Sequence, residues 1–288
     1  MDFQCPVCHS KEYIFQISCK DYTVSKEKFD IVSCKNCELW QTFPYPEEDS
    51  IGKYYQSEEY ISHSDKRETF FDKIYHLVRK YTLVQKVNLI KKYVPHGTIL
   101  DIGCGTGYFL QECKKSGFDV FGIEPSEKAR EICLKKSLNV CSKISDVDNT
   151  KKYDVITLWH VLEHLYHPDN FIRKFHFLLK DKGYLILALP NRLSYDAKKY
   201  EDYWAGYDVP RHLFHFTKKD VVNLTKDKFK TVYIQPMFFD AFYVSMLSEK
   251  YKGNKRAFLK GLVSGCVSNI KAMKKNNYSS LIYVLQKI

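Results

Sequence analysis

Four cysteines stand in two C-x-x-C pairs, Cys5-Pro6-Val7-Cys8 and Cys34-Lys35-Asn36-Cys37, with 25 residues between the pairs. Each pair offers two thiolates at a turn, and two turns complete a tetrahedral four-sulfur set suited to zinc. Protein then fills every coordination position, so the expected role is structural. Redox-active dithiols, another metal, or replacement of a ligand by His9 or Cys19 stay open on spacing alone. A second concentration of reactive groups lies in Trp159-His160-Val161-Leu162-Glu163-His164 and in Pro210-Arg211-His212-Leu213-Phe214-His215-Phe216. Histidine alone has an ordinary pKa near neutrality, so a base for a hydroxyl or an acidic carbon is sought among His160, His164, His212 and His215. His164 and His212 are preferred, with Glu163 beside them. The blander reading makes these histidines caps or packed neighbours.

A third signal is Ile99-Leu100-Asp101-Ile102-Gly103-Cys104-Gly105-Thr106-Gly107-Tyr108-Phe109-Leu110, an apolar strand, a glycine loop and the start of a helix. Glycines at alternate positions let backbone turn sharply and approach a ligand at the C-terminal edge of a sheet. A dinucleotide fingerprint needs glycine at 108, where Tyr108 stands, so NAD is disfavoured. The next apolar run, Asp119 to Ile123, ends at Glu124-Pro125-Ser126. That places a carboxylate where both hydroxyls of a ribose could donate to it, before a helix capped by Ser126.

The elements that must position these groups follow from patterning. Short apolar runs at Ile99–Ile102, Val120–Ile123, Val155–Leu158 and Leu185–Leu189 alternate with helical periodicity, which predicts parallel strands with crossover helices in a doubly wound α/β sheet. Two more strands are expected at Thr231–Ile234 and Leu281–Leu285, with inserted helices between them over about 237–278. From Asp65 to Val94, apolar residues at Phe70, Ile74, Leu77, Val78, Tyr81, Val84 and Val87 predict an amphipathic helix or helix pair. Residues 1–46 hold too few apolar side chains to fold on a core alone and need a staple. The proline-punctuated stretch Phe43 to Asp49 ends that module. The expected division is therefore 1–46, a linker and helical cap at 47–96, and a main domain at 97–288.

Composition supports this plan. The chain has 288 residues, 44% hydrophobic and 27% charged, which excludes fibrous and mostly disordered classes. It lacks an apolar run of about 18 residues or a basic-then-apolar start, so a soluble, cytosolic protein is expected. The net charge of +11 could attract nucleic acid, an acidic membrane surface or phosphorylated substrates, but lysines spread through every segment read better as a solvated surface.

Taken together, the D-x-G-x-G-x-G loop at Asp101–Gly107 and Glu124 resemble class I S-adenosylmethionine (SAM) dependent methyltransferases, over residues 97 to roughly 235 and the last strand. The resemblance implies a Rossmann-like sheet in which Asp101, Gly103 and Gly105 line the methionine part of SAM, with Cys104 and Gly107 also cofactor-binding. Glu124 would hold the ribose, and the Ser145-Asp146 loop would face adenine. The order of knuckles, a tyrosine-rich linker (Tyr54-Tyr55, Tyr60), glycine loop, HVLEH and PRHLFHF is similar to bacterial zinc-ribbon methyltransferases linked to sugar, surface-polysaccharide or secondary-metabolite modification. It implies transfer of methyl to oxygen or activated carbon of a small molecule or sugar. RNA methylation through the basic surface and a SAM-binding regulator without turnover are the alternatives. Ubiquinone-pathway O-methyltransferases and small-RNA terminal 2'-O-methyltransferases carry E-x-x-E-H at the equivalent place and hold a divalent metal there. Here His160 replaces the first Glu, so the likeness extends only to Glu163, His164 and His212 or His215.

Overall fold

The computed structural model describes residues 2–56 and 70–288. Tyr60 and the start of the helix expected from Asp65 lie outside the described residues. Three short antiparallel strands open the chain: β1 (Tyr13–Lys20), β2 (Lys28–Cys34) and β3 (Trp40–Thr42). Helix α1 (Phe70–Lys91) leads to the main sheet. The sheet comprises β4 (Thr98–Ile102), β5 (Asp119–Ile123), β6 (Asn139–Cys141), β7 (Tyr153–Trp159), β8 (Leu179–Pro190), β10 (Phe229–Pro236) and β11 (Ser280–Lys287). Its order is β10-β11-β8-β7-β4-β5-β6, with β11 antiparallel to both neighbours and β4 to β8 parallel. Between the parallel strands run α2 (Tyr108–Lys115), α3 (Glu127–Lys135) and α4 (Pro168–Leu178).

Alternate residues of the central strands feed two separate cores, because side chains alternate across a sheet. Leu100, Ile102, Ile156 and Leu158 pack with Phe175 and Leu178 of α4, and also with Phe3, Val32 and Leu39 of the N-terminal module. Ile99, Val155 and Ile186 pack on the opposite face with Ile90 of α1 and Leu110 and Cys113 of α2. Near-continuous apolar runs in β4, β7 and β8 are what burial on both faces requires. After β8 come α5 (Tyr195–Tyr200), the two-residue strand β9 (Phe214–His215) and α6 (Lys218–Thr225). The expected insertion forms α7 (Asp240–Tyr251) and α8 (Ala257–Ala272).

One pairing is invisible in the linear pattern. β9 adds to β3 as the fourth strand of the N-terminal sheet, with Trp40 opposite His215 and Gln41 opposite Phe214. A module bounded at residue 46 thus borrows a strand from the main domain. The buried Arg211 clamps the same junction, bonding Asp21 in the β1–β2 turn at 3.0 Å and Asp208 at 2.7 Å.

Candidate functional site

The two knuckles have the same local build. In each, the residue after the second cysteine takes the left-handed conformation, His9 at φ 58° and Glu38 at φ 66°. Its amide donates to the carbonyl of the first cysteine, His9 to Cys5 and Glu38 to Cys34. The turns bring Cys5 Sγ to 3.4 Å from Cys37 Sγ and Cys8 Sγ to 3.4 Å from Cys34 Sγ. All four sulfurs lie within 4.8 Å of one another. A disulfide spans about 2.05 Å, whereas four sulfurs about 2.3 Å from a tetrahedral zinc lie nearly 3.8 Å apart, so the cluster fits a metal and not two bridges. Cys19 lies elsewhere, buried among Ile31, Trp204 and Tyr207.

On the cofactor side, the loop after β4 is tied to the tip of β5. Amides of Gly103 and Cys104 donate to the Ile123 carbonyl, and Glu124 accepts from Gly105 N at 2.8 Å and Ser126 N at 2.9 Å. Gly105 has φ +54° and open space where a Cβ would stand, so a ligand can approach this turn closely. Gly103 faces Val161, which a Cβ would approach to 2.7 Å, so the glycine loop and the HVLEH segment abut. Not every expected cofactor residue reaches this open side. Gly107 caps α2 against Leu138 and Cys133, and Cys104 packs beneath Gly122. Asp101 is buried and accepts from Thr157 Oγ1 at 2.6 Å. Burial lifts its carboxyl to about 7, against the opposing pull of Thr157 and Lys86. Asp146 is exposed and bonds Ser142 and Lys143 in a one-turn segment past β6. Trp159, at the tip of β7, stacks edge-on with Phe109 and lies under the Lys86 ammonium.

On the other side of Val161, the two histidine-bearing segments meet. Leu213 N donates to Glu163 O at 2.8 Å, which locks the segments together. His164 Nδ1 lies 3.0 Å from Arg211 O, and His212 Nδ1 lies 3.0 Å from Gly206 O. A carbonyl only accepts, so Nδ1 of each ring carries a proton, and in the neutral form of either ring the lone pair is on Nε2. The two rings stand edge to face with centroids 4.6 Å apart. Glu163, His164 and His212 place one ligand atom each within 4.8 Å of the others. Both oxygens of Glu163 are buried without a hydrogen-bond partner, and His212 Nε2 is 3.9 Å from Oε1. Burial and the neighbouring His212 depress His164 to about 4, so its imidazole is neutral.

His160 and His215 depart from this group. His160, at φ 58°, sits 3.4 Å from Glu163 and 3.1 Å from Asp240. Burial alone would lower its pKa, but the two carboxylates hold it at about 9, so it is an imidazolium at neutral pH and has no lone pair to act as a base. His215 is buried in β9 with Nε2 3.1 Å from Thr42 Oγ1, and burial keeps it neutral. Asp240 and Tyr55, whose hydroxyl lies 3.0 Å from His164 Nδ1, are site residues that the sequence does not disclose. No spacing ties either to a histidine 80 or 109 positions away.

A family model described as a methyltransferase domain matches residues 75–227, more than half of the chain. The chain belongs to this methyltransferase family. The match, with the sheet order above, makes residues 75–227 a class I SAM-dependent methyltransferase domain and leaves the cysteine module outside it. A ubiquinone biosynthesis O-methyltransferase of Hydrogenovibrio crunogenus is 30% identical over 167 residues, covering 54% of this chain and 64% of the relative. That of Serratia proteamaculans is 32% identical over 104 residues, covering 33% and 43%. The chain thus spans between two-fifths and two-thirds of the length of these curated relatives. The cyclopropane synthase MmaA2 of Mycobacterium tuberculosis shares the fold, with TM-score 0.52 at 15% identity over 85% of this chain and 100% of that one. So does the mycolic acid cyclopropane synthase CmaA1, solved with SAH and CTAB, at TM-score 0.51 and 16% identity over 71% and 84%.

Proposed function

We propose that this chain transfers the methyl group of SAM to an oxygen or an activated carbon of a small molecule, with His212 or His164 as general base. The observation that carries the reading is the pair of imidazoles, each with Nδ1 on a backbone carbonyl, beside the buried Glu163 carboxylate, two residues from Val161 and hence next to the glycine loop. SAM is an activated donor, so aligning the acceptor with the sulfonium supplies most of the rate. Glu124 would accept from the ribose hydroxyls, Gly105 would lie against the ligand, and the neutral imidazole would take the acceptor's proton while Glu163 stabilises the imidazolium formed. Curated relatives named as ubiquinone biosynthesis O-methyltransferases favour a hydroxyl as acceptor.

The four-cysteine cluster we assign to structural zinc, which would hold β1–β3 alongside the core that they share with the main sheet. A second reading of the histidine side has its own support. Three groups that can each offer a ligand atom converge, and apart from His160 at 3.4 Å the Glu163 carboxylate has no close hydrogen-bond partner. Glu163, His164 and His212 form a two-histidine, one-carboxylate set that would suit a divalent cation, which supplies Lewis-acid activation of an acceptor hydroxyl when bound.

The two readings separate in one experiment. Methyl transfer from labelled SAM to a panel of phenolic, catecholic and sugar hydroxyls is measured before and after EDTA treatment that leaves the ribbon zinc in place by elemental analysis. A rate unchanged by EDTA and lost in His212→Ala supports the base, and loss restored by Mg2+ or Mn2+ supports the cation. Absence of SAH binding by calorimetry would overturn both.

A further inference from the structure

Helix α8 turns its small residues inward and its large apolar residues outward. Gly261, Ser264, Gly265, Ser268 and Ala272 are buried. A Cβ on Gly261 would lie 2.5 Å from Met246 Cα, and one on Gly265 2.7 Å from Phe242 Cδ1, so the helix lies close on the backbone of α7. On the opposite side Leu259, Val263, Ile270 and the C-cap Met273 are 60% to 72% exposed, with Cys266 also exposed between them. Steps of four and three residues put these five in one stripe along the helix. A helix that packs only for its own domain would bury that stripe and expose the serines.

The surroundings are as uneven in charge. Residues 250–275 contain eight Lys or Arg and no Asp or Glu, and all eight basic residues are exposed. The stripe also reaches the catalytic side. Asn269 Nδ2 donates to the carbonyl of Phe238 at 2.9 Å, and the half-exposed Phe238 stands two residues before Asp240, the partner of His160.

We propose that this face docks on the surface of an anionic phospholipid bilayer. The stripe enters the boundary between headgroups and acyl chains, and the lysines meet lipid phosphates. No described helix is long and apolar enough to cross a membrane, so the contact lies in the plane of the surface. Two other occupants fit less well. A second copy would bring eight positive charges against eight, and a nucleic acid would take the lysines but leave the apolar stripe in water. This interaction does not depend on the methyl-transfer reading.

Flotation of the full chain with vesicles tests it, comparing pure phosphatidylcholine with a mixture containing about 30% phosphatidylglycerol. Wild-type protein should float with the anionic vesicles at low salt and stay behind with the neutral ones. Leu259→Asp with Ile270→Asp should reduce partitioning by at least about tenfold. Lys260→Gln with Lys271→Gln should weaken it several-fold and flatten its salt dependence. Melting curves that match wild type establish that each variant is folded. The proposal fails if wild type stays behind with anionic vesicles, or if both double variants float as well as wild type. It also fails if light scattering shows a wild-type dimer that Leu259→Asp with Ile270→Asp converts to monomer, which would make the stripe a contact between copies.

Discussion

Two groups of side chains among the described residues converge at the spacing of metal ligands, and they are built in opposite ways. The thiols of Cys5, Cys8, Cys34 and Cys37 come from two near-identical turns of one small sheet. Glu163 and His164 meet His212 from a segment 48 residues further on, through a backbone bond from Leu213 to Glu163 and two carbonyls that orient the rings. The first set has four protein ligands and leaves no position for another; the second has three, on a segment that abuts the glycine loop through Val161. A closed set can only hold a fold, whereas an open one can hold a reactant. The β3–β9 ladder joins the two, because His215 pairs with Trp40 three residues after His212.

Breaking the closed set should have the largest effect. Structural zinc in small modules is worth about 10 to 16 kcal/mol of apparent binding energy, so Cys34→Ser should lose the metal and the soluble fold together, read by elemental analysis and circular dichroism. Unchanged stability in metal-free protein would show that the cluster is not a staple. The open set should behave conversely. His212→Ala, or His164→Ala if that is the base, should lower kcat by roughly 100-fold to 10,000-fold and leave SAH affinity and melting temperature nearly intact. Rates within a few-fold of wild type in both variants would reduce these histidines to packing.

A smaller effect is expected on the cofactor side. Glu124→Ala should weaken SAH binding in calorimetry by about 1.5 to 3 kcal/mol, the range for hydrogen bonds to a charged group. The smallest concerns the joint. Burial opposes ionisation of Asp21, but Arg211 and the amides of Ser25 and Thr23 hold its carboxyl down from 3.8 to about 2. A depressed carboxylate stabilises the fold above the unfolded pKa and loses that contribution as pH falls through the folded one. Asp21→Asn should therefore cost about 2 kcal/mol at neutral pH in denaturant titrations, and the gap to wild type should close between pH 4 and pH 2. A gap independent of pH would place the loss in packing instead.

The sequence discloses whatever is periodic or local. β4, β5, β7 and β8 stand out because burial on both faces makes them continuous apolar runs, and each knuckle is legible because its turn is set by five consecutive residues. Strand β6 is nearly silent, since its three residues, Asn139 to Cys141, are only partly buried at a sheet edge. Among the histidines, residue type marks the candidates but not their surroundings. The charge on His160 depends on Asp240, which the insertion delivers from another element, and His215 is set aside by Thr42 of the ribbon. Such assignments are made by tertiary contacts with no sequence period of their own.

The borrowed strand also orders events in time. Chains are made from the N-terminus at about 5 to 20 residues per second, and about 170 residues separate Thr42 from Phe214, so β3 emerges roughly 10 to 30 s before its partner. Throughout that interval Trp40 to Thr42 form the bare edge of a three-stranded sheet, the kind of edge that recruits foreign strands. Metal capture by the nascent module would set the edge early and keep it in register until β9 arrives, so that a ribosome-bound chain starved of zinc, and not the finished protein, is where aggregation should begin.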